Sequence, residues 1–131
     1  MPKRETRWVR VRALSREEKA AVAAACDRFI AKTLKPRFLP TIRPTQLNYP
    51  VEIFGKYSFI TRYRSGFPDN RGEEFDSPFT RLDHVEECLT ETRLDLMWQR
   101  HNGQWWRLHT SVTLEKALQL IETEPLLQPN A

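Results

Sequence analysis

The sequence has few cysteines and few glycines, and it has no long apolar run. Its two cysteines, Cys26 and Cys88, form no C-x-x-C pair. That excludes a disulfide framework and a zinc ribbon, and it predicts reduced thiols in a cytoplasmic protein. Only four glycines are present, which excludes a glycine-rich phosphate loop. No stretch approaches the ~18 apolar residues of a membrane span, so we expect no contact with a membrane.

Motifs of catalysis and metal binding are also missing. The histidines, His84, His101 and His109, are scattered along the chain, with no H-E-x-x-H string and no serine elbow. His84 and Cys88 are four residues apart, but in a strand this spacing spans about 13 Å, too far for a shared metal. We therefore expect a non-enzymatic protein with no cofactor and no metal site.

The length of 131 residues corresponds to one domain. With 40% apolar and 11% aromatic residues, the chain is typical of folded globular proteins. Its composition divides it into a basic arm at 1–14, a single domain at 15–125 and a C-terminal tail at 126–131.

Charge is distributed unevenly, although the formal net charge is only +4. The arm is basic, whereas the segment 72–91 is acidic and contains Arg81 as its one basic residue. Three interpretations stay open: the basic end steers a polyanion, the two ends meet head to tail in an oligomer, or both are solvated. Most of the basic residues are arginines, which suit bidentate contacts to phosphate or carboxylate.

The N-terminal third predicts one amphipathic helix. Ser15 and Glu18 have the spacing of a capping box. The apolar positions that follow recur on one helical face: Val22, Cys26, Phe29, Ile30 and Leu34. Pro36 is expected to end the helix, and the proline-punctuated segment 35–44 is expected to be extended.

The middle of the chain predicts five strands. The first two, 47–54 and 57–64, are separated by Gly55 and Lys56, which fit a type II′ turn. Pro50 cannot donate to a ladder and places the first strand at a sheet edge. A long polar loop is expected at 65–78, followed by strands at 79–88, 92–100 and 104–110.

The last element is predicted to be a helix. Thr113 is its expected N-cap, and its apolar stripe consists of Leu114, Ala117, Leu118 and Ile121. The fold class is therefore α+β: an N-terminal helix, about five antiparallel strands in a sheet that is either open or curled into a small barrel, and a C-terminal helix.

The turn at Asn102 and Gly103 carries the strongest hairpin signal. A two-residue turn there sets Arg100 opposite Trp105 and Trp98 opposite Arg107, so that Trp and Arg alternate across one face. This surface suits base stacking and phosphate binding, or else it is a cross-strand ladder at the rim of the core. Trp106 is expected on the other face, in the core.

Similar alternatives apply to the second strand, where Tyr57, Phe59 and Tyr63 share a face. Such aromatics form a stacking platform for RNA, or else they form the apolar face of an ordinary sheet. The candidate nucleic-acid-binding residues are Lys3, Arg4, Arg7, Arg10, Arg12, Arg43, Tyr57, Trp98, Arg100, Trp105 and Arg107. The predicted function is RNA binding, and the alternative is an interaction module that forms a homo-oligomer.

The order of elements, a helix followed by five short antiparallel strands over residues 15–110, resembles the Sm and Sm-like fold. That resemblance implies a strongly bent small barrel that forms rings and binds RNA. The Arg-Gly pair of that family precedes its last strand, whereas here Arg71 and Gly72 lie in the central loop. Separately, the segment 103–108, followed by Thr113, Leu114 and Glu115, is similar to strings in small bacterial proteins without an assigned function.

Overall fold

The computed structural model of the chain describes residues 10–39, 48–100 and 102–129. Along the chain, helices precede and follow the strands of a five-stranded antiparallel sheet, so the predicted α+β class is confirmed. The elements are α1 Arg16–Phe29, α2 Lys35–Phe38, β1 Asn48–Phe54, β2 Ser58–Ser65, β3 Glu74–His84, β4 Leu94–Gln99, β5 Trp105–Val112 and α3 Leu114–Thr123.

The sheet is an open meander in which each strand pairs with the next one along the chain, in the order β1-β2-β3-β4-β5. Closure into a barrel would require β1 to pair with β5, and these strands form no pair within the described residues. Of the two sheet forms that the sequence allowed, the structure has the open one. It therefore shares with the Sm fold the order of its elements but not a closed barrel.

Helix α1 begins as the sequence predicts. The Ser15 hydroxyl accepts from the Glu18 N–H at 3.1 Å, and the Glu18 carboxylate accepts from the Ser15 N–H at 3.0 Å, so the capping box is complete. Val22, Cys26 and the two apolar residues after them, Ile30 and Leu34, are buried on one side. Burial raises the pKa of the Cys26 thiol to about 11, so this cysteine is un-ionised at neutral pH.

The helix does not end at Pro36, as the sequence predicted. A π-helical turn, Ile30–Leu34, follows α1, and α2 continues through the proline to Phe38. In the π turn the Lys35 N–H donates to the Ile30 carbonyl, five residues back. A wider turn relieves the clash between a proline ring and the carbonyl of the preceding turn, and Pro36 then occupies the start of a new helical segment. Part of the predicted extended connection, residues 40–44, lies outside the described residues.

The core lies between the helices and one face of the sheet. Ile53, Phe59, Leu94 and Leu96 supply the strand side, and all four are fully buried. The segment after α3 also docks here, because the Thr80 hydroxyl donates to the Leu127 carbonyl at 2.8 Å in a buried hydrogen bond. The buried side chains of Leu14 and Leu127 lie just outside the predicted domain bounds of 15 and 125.

A polar latch ties the chain in front of α1 to the loop between β3 and β4. The Arg12 Nη1 atom lies 2.7 Å from both oxygens of Glu18, and the Thr92 hydroxyl donates to the same carboxylate at 3.0 Å. The Arg12 N–H donates to the Glu86 carbonyl at 2.7 Å. These contacts, together with the Ser15 N–H, hold the pKa of Glu18 at about 2, below its ordinary value of 4.5.

The latch predicts an acid-sensitive component of stability. A carboxylate with a depressed pKa in the folded state stabilises the fold above its unfolded pKa. For Glu18 that contribution is present above about pH 4.5 and is lost as the pH falls towards 2. Urea denaturation of the wild type and of Glu18→Gln between pH 7 and pH 2 measures it. The two free energies of unfolding should converge on acidification, and a constant difference would contradict a role for the charge.

The predicted two-residue turn between β1 and β2 is wrong. Phe54 pairs with Ile60 rather than Tyr57, so the first turn is longer than the expected two residues. Tyr57 instead turns to β3, and its carbonyl accepts from the Leu82 N–H at 2.6 Å. Pairing with β3 therefore decides where the first hairpin closes.

The predicted loop at 65–78 is also shorter than expected. Strand β3 begins at Glu74, because opposite charges face each other across β2 and β3, as Arg64 and Glu74 do. Pro78 is tolerated inside β3 since the register with β2 shifts there. β3 then ends at His84 rather than Cys88, and β4 runs over Leu94–Gln99 rather than 92–100.

Candidate functional site

The β4–β5 turn differs by one residue from the turn that the sequence predicts. The Arg100 N–H donates to the Gln104 carbonyl at 2.8 Å, and these two residues close the turn. The Gly103 N–H also donates to the Arg100 carbonyl at 2.9 Å, and Gly103 has a positive φ of +82°. The local geometry is that of a turn followed by a glycine bulge, which adds one residue to the connection.

This shift puts Trp106, instead of Trp105, on the same face as Trp98. Trp98 pairs with Trp106, and Arg107 pairs with Met97, so the predicted pairing of Trp98 with Arg107 is wrong. A slip of one residue moves every side chain of a strand to the other face of the sheet. Trp106 therefore lies on the same face as Trp98, and it is 49% exposed instead of lying in the core.

Trp98, Trp106 and Arg100 form the tryptophan–arginine cluster. The Arg100 guanidinium lies 5.9 Å from the Trp98 ring centroid and 5.1 Å from the Trp106 ring centroid. Trp98 is half-buried and packs against the core, which fixes the base of the cluster. Within the described residues no carboxylate forms an ion pair with Arg100. Its N–H edges are therefore available to an anion while the rings hold the guanidinium plane.

The opposite face of the same hairpin has a different arrangement. The Arg81 guanidinium lies 4.8 Å from the Trp105 ring centroid and also forms a two-point contact with Asp83, at 2.7 and 3.0 Å. The contact with Asp83 raises the pKa of Arg81. Arg107 lies 3.4 Å from Asp95. On this face the arginines already have carboxylate partners.

The same neutralisation extends to β2 and β3. Arg62 contacts Asp76 at 3.0 Å, and Arg64 contacts Glu74 at 3.3 Å. Each carboxylate raises the pKa of its arginine. Acidic residues of the segment 72–91 thus pair with arginines of the same molecule, and less of their charge is left for an external partner than the sequence suggested.

The other predicted binding residues are dispersed. Arg10 is exposed, whereas Arg12 is engaged in the latch. Tyr57 is half-buried against the core, and burial raises the pKa of its hydroxyl. Four candidates lie outside the described residues: Lys3, Arg4, Arg7 and Arg43.

A groove of about 240 Å³ opens beside the cluster on the core face of the sheet. Trp98 and Gln99 on β4, Ser77 on β3 and Tyr63 on β2 line the groove from the sheet. The segment 125–129 lines its other side. None of the described side chains that line the groove is charged. Burial raises the pKa of Tyr63, so its hydroxyl is neutral at physiological pH. The groove therefore offers aromatic rings, hydroxyls and amides to a ligand.

Residues 10–39, 48–100 and 102–129 contain no group of three or more His, Cys, Asp or Glu side chains placed to hold an ion. Over the same ranges no helix is long and apolar enough to cross a bilayer.

Sequence reasoning missed the most exposed member of the cluster and the groove beside it. A two-residue turn puts Trp106 on the face opposite Trp98. A glycine after Asn102 is equally compatible with a bulged turn that Arg100 closes, and that signal predicts that Trp106 shares a face with Trp98. The groove depends on the docking of segment 125–129 against the sheet, and no local sequence pattern predicts that docking.

Comparison with known proteins gives one match. A family model described as "Domain of unknown function (DUF3024)" matches residues 4–127. Neither a curated protein nor a solved structure matches the chain.

Proposed function

Because the chain belongs to the DUF3024 family, whose description names no activity, we propose a function from its geometry: the tryptophan–arginine cluster binds single-stranded nucleic acid. The observation that carries this proposal is Arg100, which lies over two indole rings without a carboxylate partner in the described chain. Trp106, half of whose surface is open, lies directly beneath it.

Single strands are bound through stacking and charge. An exposed aromatic ring accepts a base on its open face, and such a contact contributes about 1–3 kcal/mol per base. An arginine beside that ring binds the phosphate that joins this base to the next. Trp106 and Arg100 supply both elements on one short hairpin.

Most other arginines of the sheet would have to give up an existing partner in order to bind phosphate. Arg62, Arg64 and Arg81 each lie within hydrogen-bonding distance of a carboxylate. Arg100 has no such contact to break, since rings rather than charges hold it. The cluster is thus the part of the sheet where an anion binds at the lowest cost.

The basic arm supplies a second, less specific contribution. The formal net charge of +4 and the arginine-rich N-terminal third favour association with a polyanion, and this effect decreases with salt. Within the described residues, Arg10 is the exposed basic residue of that arm. Lys3, Arg4, Arg7 and Arg43 are proposed to contribute in the same way. The proposed activity is binding alone, without a catalytic step.

Two substitutions test the cluster. In fluorescence anisotropy with a labelled single-stranded oligonucleotide, Trp106→Ala and Arg100→Gln should each weaken binding about 10-fold, the magnitude of one stacking or phosphate contact. Arg100→Gln should also reduce the salt dependence, because one phosphate contact is removed. RNA and DNA of the same sequence, at two salt concentrations, complete the measurement.

The matched control is Arg28→Gln, which removes the same charge from an exposed position on α1. It should weaken binding far less than Arg100→Gln does. Equal losses in the two variants would mean that only net charge matters, and the cluster would then be rejected as the site. If the wild type did not bind at low salt, the whole proposal would be wrong.

Self-association, the alternative function, has less support in the sheet edges. β1 carries Pro50 and a register shift, and β5 is interrupted by two register shifts against β4. Prolines and bulges are the devices by which edge strands avoid pairing with another copy. Light scattering that shows a dimer over a range of concentrations would reverse this preference.

A further inference from the structure

We infer that the groove beside the cluster binds a second base of the same strand, so that the protein recognises a pair of neighbouring nucleotides. This inference rests on the proposed function. It assigns a nucleobase to the groove, in addition to the base that stacks on Trp106. It depends on the size, the lining and the position of the groove.

The size of the groove fits a single small group. Its volume of about 240 Å³ is below the ~300–1,000 Å³ of pockets that hold drug-sized ligands. The Trp98 and Tyr63 rings are the aromatic part of the lining. A planar heterocycle can pack against such rings in a space of this size, as flipped-out or splayed bases do in other nucleic-acid sites.

The chemistry of the lining favours a neutral ligand with hydrogen-bonding edges. The amide nitrogens of Gln99 and Gln128 donate within the chain, to the Gly103 carbonyl at 3.3 Å and the Glu122 carbonyl at 2.7 Å, so their amide oxygens face a ligand as acceptors. The Ser77 hydroxyl can donate or accept. Such acceptors suit the exocyclic amino group of adenine or cytosine. Because no charged side chain lines the described groove, an acidic or basic peptide side chain would be buried there without a partner.

The position of the groove links it to the cluster. Trp98 lines the groove and also contacts the Arg100 guanidinium, 5.9 Å from its ring centroid. A base in the groove therefore places its phosphate towards Arg100, on the side where Trp106 holds the neighbouring base. The charge of the ligand is thus complementary to the protein at both points: neutral in the groove and anionic at the arginine.

The groove is held open by contacts within the described chain. The Thr80 hydroxyl fixes the Leu127 carbonyl at 2.8 Å, and the Gln128 side chain donates to the Glu122 carbonyl at 2.7 Å. These bonds anchor the wall formed by segment 125–129 on the sheet and on the end of α3. Binding accordingly requires little rearrangement, which lowers its entropic cost.

The test counts bases. A short labelled oligonucleotide is made with abasic sites at every position, at every position but one, or at every position but two neighbours. For the wild type, the first base should tighten binding about 10-fold, and the second should tighten it again by a similar factor. Ser77→Phe fills the groove and should abolish the second gain while keeping the first. Trp106→Ala should abolish one gain and keep the other.

The control is Thr90→Phe, which adds the same ring to an exposed loop position beyond the other end of β3. It should retain both gains. If Ser77→Phe also retains both, the groove does not bind a base, and the inference is overturned while the proposed function stands. If the wild type gains from one base but not from a second, the inference fails even where Ser77→Phe does not fold.

Two further outcomes separate the inference from its premise. If bases add nothing to the binding of the abasic strand, the proposed stacking function fails together with the inference. A proline-rich peptide provides the other outcome. If it binds the wild type but not Ser77→Phe, and the oligonucleotide does not displace it, the groove is a peptide site and the inference is overturned.

Discussion

Gly55→Ala should be among the most destabilising single substitutions in this protein. Gly55 has a φ of +128°, which L residues rarely adopt, and an added Cβ would lie 1.7 Å from the Ser58 carbonyl oxygen. Because the atom that the added Cβ meets belongs to the backbone, the turn itself has to move. We expect a loss of about 4 kcal/mol, a large share of the ~5–15 kcal/mol that keeps a domain folded.

Gly103→Ala is the matched control for this prediction. Gly103 also has a positive φ, +82°, but apart from its chain neighbours no atom of the described residues lies within 4 Å of an added Cβ. Its substitution should cost only the conformational penalty, about 1–2 kcal/mol. Urea denaturation of both variants measures the difference. Similar losses in the two would show that the contact with Ser58 is relieved at no cost and would contradict the prediction.

Phe59→Ala should have a comparable effect for a different reason. The Phe59 side chain is fully buried and has ring neighbours on two sides, with centroids 6.4 Å away at Phe29 and 6.1 Å away at Phe79. Its removal leaves a cavity between α1 and the sheet that neither side can close. Truncation of such a residue typically costs about 3–5 kcal/mol.

Phe75→Ala provides the comparison on the same sheet. Phe75 is 45% exposed, and its ring stacks on Tyr63 with centroids 5.5 Å apart. We expect a loss of about 1 kcal/mol, mainly from the ring contact. Thermal and urea unfolding of both variants tests the ranking. If Phe75→Ala destabilised the protein as much as Phe59→Ala, the assignment of the core to the helix-covered part of the sheet would be contradicted.

Local signals predicted the helices well. The capping box of Ser15 and Glu18 and the N-cap at Thr113 form as expected, because each depends on residues within one turn. The buried positions Ala117 and Ile121 follow from the helical period in the same way. The number and antiparallel order of the strands also followed from the spacing of turn residues.

The candidate site was predicted only in part. Trp98 and Arg100 were both singled out, and the structure brings them together. The sequence predicts the third member, Trp106, on the face opposite Trp98 and in the core, whereas the one-residue difference in the turn puts it on the same face as Trp98, where it is 49% exposed. For Tyr57 the sequence allows either a stacking surface or the apolar face of the sheet, and in the structure it packs against the core.

Sequence alone therefore determined the fold class, the helix caps and the apolar faces, since these depend on residues a few positions apart. Only the tertiary structure decided the strand registers, the passage of the helix through Pro36 and the pairing of the acidic segment with the arginines of β2. It also decided which tryptophan is exposed and where the groove lies. The passage through Pro36 depends on the local π turn Ile30–Leu34, which no sequence pattern indicates. The others depend mainly on contacts between residues distant in the chain, such as the bond between Thr80 and Leu127.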